Sequence, residues 1–82
     1  MKHYAVILDW ASDGERGVSV KAITHTEEEA KIYFGEFVVD EKTIATDNNY
    51  DVIEKDTDTE FYAYEKGYES LEHTKLFIQE VK

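Results

Sequence analysis

The sequence predicts an α+β fold: a two-layer sandwich with one helix packed on a mainly antiparallel sheet of four to five strands, in the order β-β-α-β-β-β. Three observations predict it. Only residues 26–39 repeat apolar side chains with a helical period, the flanking segments alternate in polarity, and turn-forming residues separate those segments. The chain has no proline, linker or internal repeat, so residues 1–82 are expected to form a single domain.

The first two strands are predicted at residues 3–11 and 18–24, joined by a hairpin. The turn signal is Asp13-Gly14. Residues 3–11 carry apolar side chains on both faces, which favours an interior strand, and one face holds Tyr4, Val6, Leu8 and Trp10. In the second strand, Val18, Val20 and Ala22 are expected on one side.

The helix is predicted to begin after Thr26, because Thr26 followed by Glu29 fits a capping box in which the glutamate reaches back to the Thr26 amide. The face expected to be buried consists of Ala30, Tyr33, Phe34, Phe37 and Val38. Gly35 inside this pattern costs about 1 kcal/mol relative to alanine, which predicts either a close approach of a neighbour or an early end. We expect the helix to continue to about residue 39. Residues 40–49 either add a turn through Ile44 or form a loop.

Three further strands are predicted at residues 50–55, 60–65 and 74–81, with turns at 56–59 and at Gly67. In the middle strand Phe61 and Ala63 lie opposite Tyr62 and Tyr64. Because the sequence offers no second helix, one face of the sheet is expected to be solvated or covered by a partner.

Several classes of function are disfavoured by the sequence. The chain has no cysteine, no apolar run near the roughly 18 residues of a membrane span, and no signal peptide at residues 1–15, so a cytoplasmic protein is expected. It shows no nucleophile motif or phosphate-binding loop. The run from Asp56 to Glu60 resembles the start of a calcium loop but lacks the required glycine. We therefore predict no enzymatic activity, cofactor or metal.

Negative charge is concentrated after residue 21. Residues 1–21 hold three acids and three bases, whereas residues 27–41 hold six acids against one lysine and residues 47–72 hold nine acids against two lysines. The chain carries a net charge of −10 and a single arginine, so direct binding of nucleic acid is disfavoured. A charge of this size favours a basic partner, although a solvated acidic face is the alternative.

Two groups of side chains are candidates for contact with such a partner. If the chain stays extended, alternate carboxylates at residues 56–60 stand about 6.6 Å apart, close to the roughly 6.8 Å of two phosphate steps on one DNA strand. Tyrosines interleaved with these acids are either contact residues or ordinary cross-strand pairs. The predicted partner-binding residues are Glu27, Glu28, Glu29, Asp56, Asp58, Glu60, Tyr62 and Tyr64.

The opening strand-turn-strand, the TEEEA entry to the helix and the run YDVIEKDTDTEFYAYEKGYES resemble small acidic uncharacterised proteins of phages and prophages in low-GC Gram-positive bacteria. That resemblance implies the cytoplasm of a host bacterium, and an inhibitor of anti-CRISPR or anti-restriction type that occupies the nucleic-acid channel of a nuclease complex. The alternative is a homo-oligomeric structural or accessory protein whose tyrosine-rich sheet face forms a homodimer interface.

Overall fold

One helix packs against a five-stranded antiparallel sheet in the computed structural model, which describes residues 2–81 and confirms the predicted α+β fold. The elements are β1 (His3–Ser12), β2 (Glu15–Thr24), α1 (Glu27–Asp47), β3 (Val52–Asp56), β4 (Glu60–Tyr64) and β5 (His73–Val81). The strands lie in the order β2-β1-β5-β4-β3. The face of the sheet opposite α1 is called the back face below.

The β1–β2 hairpin is confirmed, and β1 is an interior strand between β2 and β5. Asp13 and Gly14 form its two-residue turn with φ of 53° and 81°, the positive values that a type I′ turn requires at both positions. The turn residues follow directly on Ser12, so β2 begins earlier than residue 18, where the alternation predicted it.

A β-bulge changes the face to which the first half of β2 points. Val6 pairs with Ala22 but Ile7 pairs with Val20, so Lys21 is an extra residue in β2. Val18 and Val20 consequently lie on the back face, while Ala22 lies on the helix side. The prediction that these three β2 residues share one side is therefore wrong.

Thr26 caps the helix as predicted, but one of the two capping-box bonds differs. The Glu29 backbone N–H donates to Thr26 Oγ1 at 3.2 Å. The Glu29 carboxylate accepts from the Thr26 hydroxyl, also at 3.2 Å, instead of from the Thr26 backbone N–H. Acidic residues occupy the first turn of α1, where the positive end of the helix dipole favours them.

The helix ends at Asp47, well beyond the predicted end near residue 39. Its buried stripe begins with Ala30 and Phe34 and continues through Glu41 and Ala45. The stripe therefore keeps its period to the end of the helix, but one of its members is a charged residue. Residues 40–47 are helix because this second half also packs on the sheet.

Two expectations about the middle of the helix are wrong. Tyr33 is 42% exposed and lies at the edge of the buried stripe, where its ring stacks on Phe37 with centroids 6.4 Å apart. Gly35 faces open space, because a Cβ built there would meet no neighbouring atom within 4 Å. Gly35 therefore marks neither a close approach nor an end of the helix.

The core lies between α1 and the helix side of the sheet. Phe61 and Ala63 of β4 point into it and Tyr62 and Tyr64 point to the back face, as the alternation predicted. The core residues are Val6, Leu8, Ala30, Phe34, Ala45, Tyr50, Phe61, Ala63 and Leu76.

Candidate interaction surface

The strand order places the start of the chain, which has no net charge, and its acidic later part at opposite edges of the sheet. β2 and β3 form opposite edges of the sheet. Residues 2–21, which carry no net charge, form β1 and most of β2, whereas the acidic residues between 51 and 72 lie on β3, β4 and the adjoining connections. The β2 edge of the sheet is therefore close to neutral and the β3 edge is acidic.

The start of α1 and the β3–β4 turn lie side by side, although the sequence separates them by some thirty residues. Lys31 Nζ lies 3.5 Å from Glu27 Oε1 and 3.7 Å from Asp58 Oδ2. These two candidate carboxylates are thus brought together, and a lysine between them offsets part of their charge.

The candidate carboxylates at residues 56–60 point in different directions. Asp56 ends β3 and lies 3.2 Å from Lys42 on the helix side, whereas Glu60 begins β4 and lies 3.9 Å from Lys75 on the back face. The residues between them form a turn in which Thr57 Oγ1 accepts from the backbone N–H groups of Thr59 and Glu60. The extended spacing that matched DNA phosphates is therefore absent, and that part of the prediction is wrong.

Glu28 and Glu29 in the first turn of α1 are exposed, and neither makes an ion pair with another of residues 2–81. No lysine among the described residues offsets the charge of these two, whereas a lysine lies beside each of Glu27, Asp56, Asp58 and Glu60. The candidate set thus divides into free carboxylates at the helix start and lysine-paired carboxylates nearby.

A row of carboxylates along α1 was missed by the sequence analysis. Glu29, Glu36, Asp40 and Asp47 stand at positions i, i+7, i+11 and i+18, which lie on one side of a helix with 3.6 residues per turn and span about 27 Å. All four are exposed, and within the described part of the chain none forms an ion pair. We call them the helix carboxylate row. Lys31 and Lys42 lie on the opposite flank, where they contact the β3–β4 hairpin.

The row went unnoticed because the helix was expected to end near residue 39. With that end, Asp40 and Asp47 fall in residues 40–49, for which the sequence left helix and loop open. Glu29 and Glu36 alone do not reveal a row along the helix. The spacing of seven, four and seven residues is the signal that a longer helix would have revealed.

Tyr62 and Tyr64 are half-buried neighbours on the back face, with ring centroids 5.4 Å apart. The Tyr62 hydroxyl donates to the Glu69 carboxylate, and the Tyr64 hydroxyl donates to Glu54 Oε2 at 3.2 Å. Burial raises the pKa of both phenols, and the hydrogen bonds to the carboxylates raise the pKa further. Both hydroxyls therefore already have carboxylate partners within the protein, Glu69 in the β4–β5 connection and Glu54 on β3.

The apolar part of the back face lies instead on β2. Val18, Val20 and Ile23 are 69%, 58% and 67% exposed. They stand on a free sheet edge, at the neutral side of the molecule.

Comparison of the chain with protein-family models, with curated proteins and with solved structures found no match. Among residues 2–81, no three side chains of metal-binding type converge on a common point. The same residues contain no helix that is both long and apolar enough to cross a membrane.

Proposed function

We propose that the protein is a small acidic interaction module that binds a basic partner through the helix carboxylate row and the adjoining first turn of α1. The observation that carries this proposal is the row itself: four exposed carboxylates on one side of one helix, without a lysine paired to any of them in residues 2–81. The net charge of the chain is −10, so the protein as a whole attracts a positively charged partner.

Charge of one sign gathered on one surface raises the local potential and steers an oppositely charged protein toward it. Repulsion among the row carboxylates destabilises the free protein and is relieved when cations of a partner lie between them. Association of this kind accelerates at low ionic strength and weakens as salt is added.

Two of the lysine-paired carboxylates, Glu27 and Asp58, adjoin this surface at the first turn of α1. Exposed ion pairs such as Lys31 with Glu27 and Asp58 contribute at most about 1 kcal/mol each. A partner's arginine therefore displaces Lys31 at little cost, and these two acids then join the contact.

The partner we infer is a nucleic-acid-handling protein, whose binding channel is basic and is blocked when the module enters it. The molecule measures 40 × 19 × 17 Å, so its narrow cross-section suits a groove. Ten net charges over 40 Å give about one per 4 Å, whereas duplex DNA carries one per roughly 1.7 Å. Because its charge density is lower, the module binds a basic channel more weakly than DNA does through charge alone. The exposed apolar Ile32 and Val39 on α1 add apolar contact area, which DNA lacks, to the interface with the partner.

The experiment is capture of host proteins on the immobilised protein at about 50 mM and about 500 mM salt, where the Debye length differs roughly threefold. The expected result is a basic protein that is retained at low salt, released at high salt, and displaced by duplex DNA. A captured protein whose retention ignores both salt and DNA contradicts the proposal.

A homo-oligomeric accessory protein is the second candidate, favoured by the exposed Val18, Val20 and Ile23 on the free edge of β2. This edge carries little charge, so local repulsion between two copies is small there. The sequence suggested a homodimer interface at the face that carries Tyr62 and Tyr64. Their hydroxyls bond within the protein, so β2 replaces that face as the candidate interface. Sedimentation at high micromolar concentration tests it: a dimer that Val20→Lys dissociates supports this candidate, and a monomer removes it.

A further inference from the structure

A cleft of about 580 Å³ opens between the C-terminal half of α1, strands β1 and β2 and the start of β5. This volume falls within the roughly 300–1,000 Å³ of small-molecule sites. Its walls are mainly apolar and include Leu8, Trp10 and Ile44. A cleft of this size and character accepts a small molecule with an apolar body.

One wall of the cleft contains Glu41, a carboxylate in an otherwise apolar position. The residue is 6% exposed, and its Oε1 accepts the Thr74 hydroxyl at 2.8 Å. Its second oxygen, Oε2, has no donor among residues 2–81. No fully enclosed side-chain oxygen of residues 2–81 lacks a hydrogen-bond partner, so Oε2 is not sealed off, and Glu41 forms part of the cleft wall.

A largely buried carboxylate without a cationic neighbour is costly, because desolvation of the charge is offset only by the bonds that it receives. Glu41 forms no ion pair with the described lysines, arginine or histidines. An ammonium or guanidinium group that enters the cleft gains a charge-assisted hydrogen bond to Oε2, which is roughly twice as strong as a neutral one.

The other charged groups on the cleft walls limit the charge of the occupant. Asp40 stands beside Glu41 in the wall formed by α1, and Lys21 lines the wall formed by β2. The two carboxylates attract one positive group, whereas Lys21 repels a second one from the opposite wall.

Trp10 supplies a flat wall whose position is fixed by packing. Its indole ring lies directly over Gly17, where an added Cβ would be 2.9 Å from Trp10 Nε1. An indole face attracts cations and stacks on planar apolar groups.

The geometry points to a binding site for an organic monocation, in which a primary ammonium or guanidinium group reaches Glu41 and an attached aromatic or branched apolar body lies against Trp10. The site shares Asp40 with the helix carboxylate row, but it is tested on the free protein and does not depend on the partner proposed above.

Trp10 is the only tryptophan of the chain, so its fluorescence reports occupancy of the cleft directly. Three probes of the same shape separate the contributions: phenethylamine, the neutral 2-phenylethanol and the anionic phenylacetate. The expected result is saturable quenching or shift by phenethylamine, with at least tenfold weaker binding of both other probes. Equal binding of amine and alcohol, or no saturable response to the amine, overturns the assignment.

A matched pair of variants locates the cation. Glu41→Gln keeps the shape of the side chain and an oxygen for Thr74, whereas Glu54→Gln makes the same chemical change on β3, at the far edge of the sheet and outside the cleft. The amine is expected to bind at least tenfold more weakly to Glu41→Gln and within twofold of the unchanged protein to Glu54→Gln. Equal losses in both variants, or no loss in Glu41→Gln, contradict the assignment. The comparison of probes on the unchanged protein decides the matter if Glu41→Gln does not fold.

Discussion

The Thr74 hydroxyl donates a 2.8 Å hydrogen bond to the Glu41 carboxylate across the interface between α1 and β5, and both residues are buried. This bond links positions that the sequence separates by 33 residues. It holds the second half of the helix on the sheet and gives a charged residue a place in the buried stripe.

Replacing Thr74 with valine is expected to destabilise the protein by about 1.5–3 kcal/mol, since the shape is kept while a buried carboxylate loses its donor. Thr74→Ser keeps the hydroxyl and loses one methyl group, at about 0.8 kcal/mol. Urea unfolding of the two variants measures the difference. The role assigned to this bond is wrong if the valine variant is the more stable of the two.

Gly35→Ala is expected to stabilise the protein by about 1 kcal/mol, because Gly35 lies inside α1 and faces open space. Gly14→Ala serves as the contrasting substitution, since Gly14 has φ of 81° and alanine is strained there. Thermal unfolding should show a rise in midpoint for the first variant and a fall for the second. A fall for Gly35→Ala would indicate that the helix is interrupted at that position.

Stability is expected to fall at alkaline pH because of Tyr62 and Tyr64. Their pKa values in the folded state are raised above the ordinary 10.0, so the folded protein retains protons that the unfolded chain releases. The stabilisation is complete below about pH 10 and is lost as the pH rises above that value. Urea unfolding at about pH 8 and about pH 11 should show a smaller pH-dependent loss for Tyr62→Phe than for the unchanged protein.

Tyr68→Phe is the control for this titration, because the Tyr68 side chain is exposed and its hydroxyl has no carboxylate partner among the residues described. Its replacement should leave the alkaline loss of stability in place. An equal effect of Tyr62→Phe and Tyr68→Phe would remove the link between this loss and the back-face hydrogen bonds.

The fold class was predictable because local patterns agree with the global structure. Alternation in β1, the Asp13-Gly14 turn and the cap at Thr26 each act within a few residues, and each is found where the sequence placed it. The end of the helix was not predictable in this way. Glu41 occupies a core position only because Thr74, distant in sequence, supplies a hydrogen bond.

The candidate surfaces were harder to predict because they depend on how the strands pair and on where the helix ends. The bulge at Lys21 shifts the pairing of β1 with β2 by one residue, and Val18 and Val20 therefore point to the back face. The tight turn at Thr57 likewise directed Asp56 and Glu60 to opposite faces of the sheet. Composition indicated that the molecule is acidic, whereas the helix carboxylate row emerged only from the full length of α1.

The most direct test of the proposed function compares Glu36→Lys with Glu15→Lys. Both exposed residues lack an ion-pair partner within residues 2–81, and both substitutions change the net charge equally, but Glu36 belongs to the helix carboxylate row and Glu15 to the neutral edge. The dissociation constant for the captured basic partner is measured for each variant at low salt. We predict at least tenfold weaker binding for Glu36→Lys and a change below threefold for Glu15→Lys. Equal effects would show that only net charge matters, and unchanged binding by Glu36→Lys would show that the row is not the contact surface.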